Sequence, residues 1–67
     1  MITSEQELQS TIERISWMQQ QLAHLRNAET NAVNYKASAG GFLAEIDRMH
    51  LEVREYLSSH PAEPAVA

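Results

Sequence analysis

An all-α fold is what this sequence predicts: two helices, over about residues 4–29 and 39–58, folded back as an antiparallel hairpin that completes a four-helix bundle as a dimer. Three observations lead there. Apolar residues recur three or four apart in two separate runs, turn-forming residues cluster between the runs, and aromatic residues are only 6% of a chain that is 43% hydrophobic. Such a profile suits helices and disfavours strands. At 67 residues there is room for one small domain, so a multidomain enzyme is excluded.

The first helix opens on Ser4 and Glu7, the spacing of a capping box: the Ser4 hydroxyl can accept the Glu7 amide while the Glu7 carboxylate reaches back to the Ser4 amide. Glu5 and Glu7 also place negative charge on the positive end of the helix dipole. Leu8, Ile12, Ile15, Met18, Leu22 and Leu25 then form one apolar stripe. Written as heptads, Leu8, Ile15 and Leu22 share one core position and Thr11, Met18 and Leu25 the other, a coiled-coil seam that is imperfect at its start. Gln19, Gln20 and Gln21 belong to a solvated face.

Residues 27–38 interrupt the pattern. Asn27, Asn31 and Asn34, with Thr30 and Ser38, offer side-chain bonds that compete with helix, so a connection is expected here, with a short helical turn at most near Ala32 to Tyr35. Val33 and Tyr35 are expected to pin that connection onto the helices, and Ser38 to cap the next one. From residue 39, Phe42, Ile46, Met49, Val53 and Tyr56 build the second stripe, which Leu43, His50 and Leu57 widen. Arg48 and Glu52 support the wet side. Gly40-Gly41 at the expected start means either a loose first turn or a close approach of another backbone. Pro61 stops the helix, leaving residues 1–59 as the hairpin and 60–67 as a tail expected to be disordered.

Chemistry is scarce. Without cysteine there is no disulfide, thiolate nucleophile or Cys-ligated metal. His24, His50 and His60 have no second ligand at metal spacing, so no metal and no cofactor are expected. Glu45, Asp47, Glu52 and Glu55 read as a solvated acidic face, since carboxylate sites in bundles need repeated Glu-x-x-His motifs aimed inward. No Ser is matched to a His and an acid, and Gly40-Gly41 fits no phosphate-binding fingerprint. No catalytic residue and no enzyme activity are expected. A His50 buried in the apolar face would make association sensitive to pH.

Charge excludes other partners. Nine acidic residues face five scattered basic ones, for a net charge of −4, where a phosphate-tracking surface needs clustered Lys and Arg; direct nucleic-acid binding is not expected. Acidic, Gln-rich polar faces are equally unsuited to lying on anionic lipid. The start of the chain has no basic stretch followed by an apolar run, which gives the expectation of a soluble, cytoplasmic protein.

What remains is protein association. Two helices meeting along one seam leave part of each broad face in water, and a second copy or a different protein would cover it. The expected interface is Leu8, Ile12, Ile15, Trp17, Met18, Leu22, Leu25, Phe42, Ile46, Met49, Val53 and Tyr56. Trp17 stands well off the main stripe, and a lone exposed Trp points to an interface, where Trp is enriched. Leu51 is also off its stripe, as an isolated exposed apolar residue. A homodimer is the first expectation, and an unidentified protein partner the alternative.

Ile2-Thr3-Ser4-Glu5 opening a long helix, then Ala44-Glu45-Ile46-Asp47 and Glu52-Val53-Arg54-Glu55-Tyr56-Leu57 in a second one, resembles the helical segment that precedes the helix-turn-helix domain in some antitoxin-type bacterial regulators. The resemblance spans most of residues 2–57 and implies an oligomerisation or toxin-covering hairpin. The DNA-binding domain is expected to be absent here, so operator recognition and the family's functional residues do not carry over.

Overall fold

Helix α1 runs from Glu5 to Ala28 and helix α2 from Ala32 to Leu57, joined by the three residues Glu29, Thr30 and Asn31. The structure is a computed structural model, and it describes residues 1–62. So short a connection forces the helices to lie antiparallel side by side, in a layer 51 × 21 × 12 Å in extent. The all-α two-helix hairpin is therefore the fold.

Ser4 caps α1 as expected: its Oγ accepts from the Glu7 amide at 3.1 Å. The other half of the box differs. Glu7 Oε2 accepts from the Thr3 amide at 2.7 Å and from the Thr3 hydroxyl at 3.0 Å, tying down one more residue of chain than a bond to the Ser4 amide would. Ahead of that clasp, Ile2 is buried at the open end of the hairpin, in a groove with Glu52, Glu55 and Tyr56 of α2.

The largest departure is the start of α2, seven residues earlier than expected. Asn31 Oδ1 accepts from the amides of Val33 at 2.9 Å and Asn34 at 3.2 Å, so Asn31 is the N-cap and Ser38 lies inside the helix. Only one of the polar residues between Asn27 and Ser38 uses its side chain to start a helix. Asn34, Lys36 and Ser38 are propagated through once that cap exists, because extending a helix is far easier than nucleating one, while Asn27 lies in the last turn of α1 and Glu29 and Thr30 stay in the connection. Residues Gly40 and Gly41 are consequently interior, and neither reading of them as a loose start or a close approach holds: a methyl group built on either would meet nothing within 4 Å.

The early start lengthens the seam. Tyr35, Ala39, Phe42, Ile46, Met49, Val53 and Tyr56 now make an unbroken alternation of four- and three-residue steps, matching Leu8, Thr11, Ile15, Met18, Leu22 and Leu25 on α1. Ile15, Ile46 and Met49 form its buried centre, with Met18, Leu22 and Val53 packed around them. Thr11 can occupy a core position because its hydroxyl bonds back to the Glu7 carbonyl at 2.8 Å. Even the best covered side chains, Ala39 and Met49, keep 3% of their surface exposed, as befits a core with only two walls.

Other expectations are corrected by exposure. Val33, expected to pin the connection, is 76% exposed because it sits on the outer side of the first turn of α2. Leu43, His50 and Leu57 do not widen the face that meets α1; all three are exposed. At the far end, Ser58 ends α2 by donating its amide to the carbonyls of Arg54 and Glu55, and its hydroxyl to Glu55. At the start of the expected tail, His60 Nδ1 accepts from the Ala62 amide at 3.0 Å in a turn. Residues 63–67 of that tail lie outside the described residues.

Two substitutions check these assignments by chemical unfolding. Asn31→Ala removes the α2 cap and should cost about 1 kcal/mol of stability. Gly41→Ala should gain up to about 1 kcal/mol, because a methyl group there meets open space in a helix interior; a loss would place an unseen contact on that residue.

Candidate protein interface

The seam itself accounts for most of the residues expected to bind a partner. Leu8, Ile15, Ile46 and Met49 are buried, and Met18, Leu22, Leu25, Phe42, Val53 and Tyr56 half-buried, between α1 and α2 of one chain. They hold the hairpin together, and a second molecule can reach only their edges. Of the expected set, Ile12 and Trp17 alone remain substantially exposed, at 42% and 57%. At about 100° per residue they point about 140° apart around α1. The structure does not bring them onto one surface.

Heptad position sorts the exposed residues into two flanks. With the seam at positions a and d, the residues just beyond d, at position e, are Glu5, Ile12, Gln19 and Arg26 on α1 and Lys36, Leu43, His50 and Leu57 on α2. Because the helices are antiparallel, e meets e along one edge of the seam; Glu5 and Leu57 do line one groove. Leu43 is 48% exposed and Leu57 62%, so with Ile12 this flank carries three large apolar side chains in water. Leu43 and Leu57 follow the spacing of the apolar face, and one helix's periodicity alone does not separate the seam from its margin. His50 lies on this flank too, in solvent, and the chain alone does not bury it.

The opposite flank, at position g, is charged. It carries Glu7 and Arg14 from α1 and Glu45 and Glu52 from α2. Arg48 stands beside it as the hub of an ion-pair cluster, bonding Glu52 at 2.7 Å and also Glu45. The hydrogen bond from Arg48 lowers the Glu45 pKa below its ordinary value, with a smaller contribution from the charge of Arg14 across the seam. The same cluster raises the Arg48 pKa, through Glu45 first. These pairs are exposed and add little stability each. Their consequence is that covering this flank would strip water from several charges.

No three His, Asp or Glu side chains among the described residues converge in a way that could hold a metal ion. No helix of the described residues is long and apolar enough to cross a membrane. Glu7, Glu45 and Glu52 fall on the charged flank and Glu5 on the other, and the grooves at the open end mix Glu and Ser with Met1, Ile2 and Tyr56.

Fold and surface together define a class: an all-α two-helix hairpin with a heptad seam, one apolar flank and one charged flank. No family model matches the chain, and neither a curated protein nor a solved structure matches it.

The Glu7 clasp gives the hairpin an acid sensitivity with a defined sign. Bonds from the Thr3 amide, then the Thr3 hydroxyl, lower the Glu7 pKa. A carboxylate with a lowered folded-state pKa contributes stability that is complete above its unfolded pKa and disappears as pH falls through the folded value. Thermal melting followed by circular dichroism should therefore show the midpoint falling below the ordinary carboxylate range, and falling less in Glu7→Gln and Glu45→Gln; variants that track the parent at every pH would remove these two groups as the cause.

Proposed function

We propose that this chain is a small, non-enzymatic helical interaction module that works as a homodimer, two hairpins forming a four-helix bundle with coiled-coil-like packing. The observation that carries this reading is the apolar flank: Ile12, Leu43 and Leu57 stay exposed beside a core in which no side chain is completely covered. A two-walled core has little burial to offset the entropy of ordering its residues, and chains this small commonly add a disulfide, a metal or a second copy. Cysteine is absent. A second copy supplies the missing wall, in a role that is structural or scaffolding and in the cytoplasm.

A second reading is favoured by Trp17. On the outer side of α1, 57% exposed and far around the helix from Ile12, it suits a contact with a different protein, making the chain a regulatory subunit or adaptor. The resemblance to antitoxin-type hairpins supports that reading. The two are compatible if the homodimer presents Trp17 outward.

Sedimentation across a wide concentration range tests the first reading. The expected result is a folded dimer whose helicity and mass fall together on dilution; a folded, cooperatively melting monomer at every concentration would remove the proposal, and an unfolded monomer would shift support to the partner-dependent reading.

A further inference from the structure

The two flanks of the seam differ, and the positions of the charges along them select one way of pairing two copies. Resting on the self-association proposed above, we infer that two hairpins stack through the Ile12–Leu43–Leu57 flank about a two-fold axis perpendicular to the helices, so that α1 lies antiparallel over α1 of the second copy. Three observations carry this.

The first is what the interface would cover. Stable dimers bury roughly 800 Å² per partner, and one face of the layer, 51 by 21 Å, is large enough to supply it. The charged flank has the same extent, but burying it would desolvate Arg14, Glu45, Arg48 and Glu52, a cost that surface ion pairs do not return. The apolar flank carries no ion pair, and its charges, Glu5, Arg26 and Lys36, stand near the two ends of the layer.

The second is self-complementarity. Ile15 packs with Ile46 and Met49 in the buried centre, so Ile12 lies within about one helical turn of the height of Met49, and Leu43 within about one turn of that of Met18. Turning one hairpin end over end about its middle brings Ile12 of one copy to the height of Leu43 of the other, across the new core. The same rotation sets Leu57 against the turn end of the second copy, where Val33 is exposed. Ile12 and Leu43 thereby meet across the interface without any change within the hairpin, and Lys36 lays its apolar stem along Leu57 with Val33 one turn away.

The third is charge. The turn end of the hairpin bears Arg26 and Lys36, while its one acid, Glu29, accepts the Asn31 amide at 3.0 Å. The open end bears Glu5, Glu7, Glu52 and Glu55, against Arg48 and Arg54. End-over-end stacking lays Glu5 over Arg26 of the second copy, at both ends of the dimer. A two-fold axis along the helices would instead lay Arg26 over Lys36 and gather Glu5, Glu7, Glu52 and Glu55 of both copies at one end, which costs repulsion. Trp17 remains on the outside.

Single cysteines test the geometry, since the chain has none of its own. Glu5 and Arg26 are about 31 Å apart within one α1 at about 1.5 Å per residue, so no disulfide between these positions can form inside a chain. When Glu5→Cys and Arg26→Cys proteins are mixed in a thiol–disulfide buffer, mixed dimers should exceed either homodimer several-fold. A dimer that instead links Glu5→Cys to Leu57→Cys of another chain, or links neither pair, overturns the end-over-end arrangement while leaving self-association standing. Failure of the parent chain to dimerise at all overturns the earlier reading. In parallel, Leu43→Glu should raise the dimer dissociation constant roughly tenfold or more, whereas Arg14→Gln on the other flank should leave it within about twofold. Trp17 emission should not shift to the blue as dimers form; such a shift would put the interface on the wrong side of the hairpin.

Discussion

Everything in this hairpin depends on matching the heptad of α1 to that of α2 through a three-residue connection. With so little chain between Ala28 and Ala32, the helices cannot choose another partner or another direction. Ile15 is therefore placed against Ile46 and Met49, and every other level of the seam follows from that one. Ala39 and Tyr35 occupy core positions only because α2 begins at Asn31, and Ile2 is buried only because the clasp between Thr3 and Glu7 turns the chain back over the open end. The caps thus act on packing: each sets where a helix begins, and so which residues reach the seam.

A seam with two walls leaves two flanks, and their chemistry separates the possible uses of the molecule. Apolar side chains at Ile12, Leu43 and Leu57 lower the cost of covering one flank, while Arg14, Glu45, Arg48 and Glu52 raise the cost of covering the other. Stability and association are linked in such an arrangement. Whatever binds the folded hairpin and not the unfolded chain stabilises it by mass action, so the self-association proposed above would tie the hairpin's order to its own concentration. At the open end, the Glu7 clasp that holds the chain beside the buried Ile2 is weakened as acid protonates its carboxylate.

Much of this was legible in the residues. The α1 stripe, the Ser4 cap, the Arg48–Glu52 pair and the off-stripe position of Trp17 are local features, decided by periodicity and by spacing within one turn. The beginning of α2 was not legible, because Asn27, Asn31 and Asn34 are equally able to cap or to sit in a loop. Which of them captures two free amides depends on where α1 stops. Ala39 is not legible as a core residue because a methyl group gives little hydrophobic signal, although it lies three residues before Phe42 and four after Tyr35. His50 was placed on the apolar face because a stripe read from one helix has no edges until the other helix covers part of it.

The sequence by itself determined the elements: two helices, their apolar stripes and the cap that opens the first, all of which arise from contacts within a few residues. Only the tertiary structure decided which part of each stripe is spent inside the chain and which is left over. Ile12 and Ile15 differ by less than a turn of helix, yet one is exposed and the other buried, because the line of contact with α2 runs on one side of Ile15 and not the other. That line is set by two helices at once, and no single run of residues contains it.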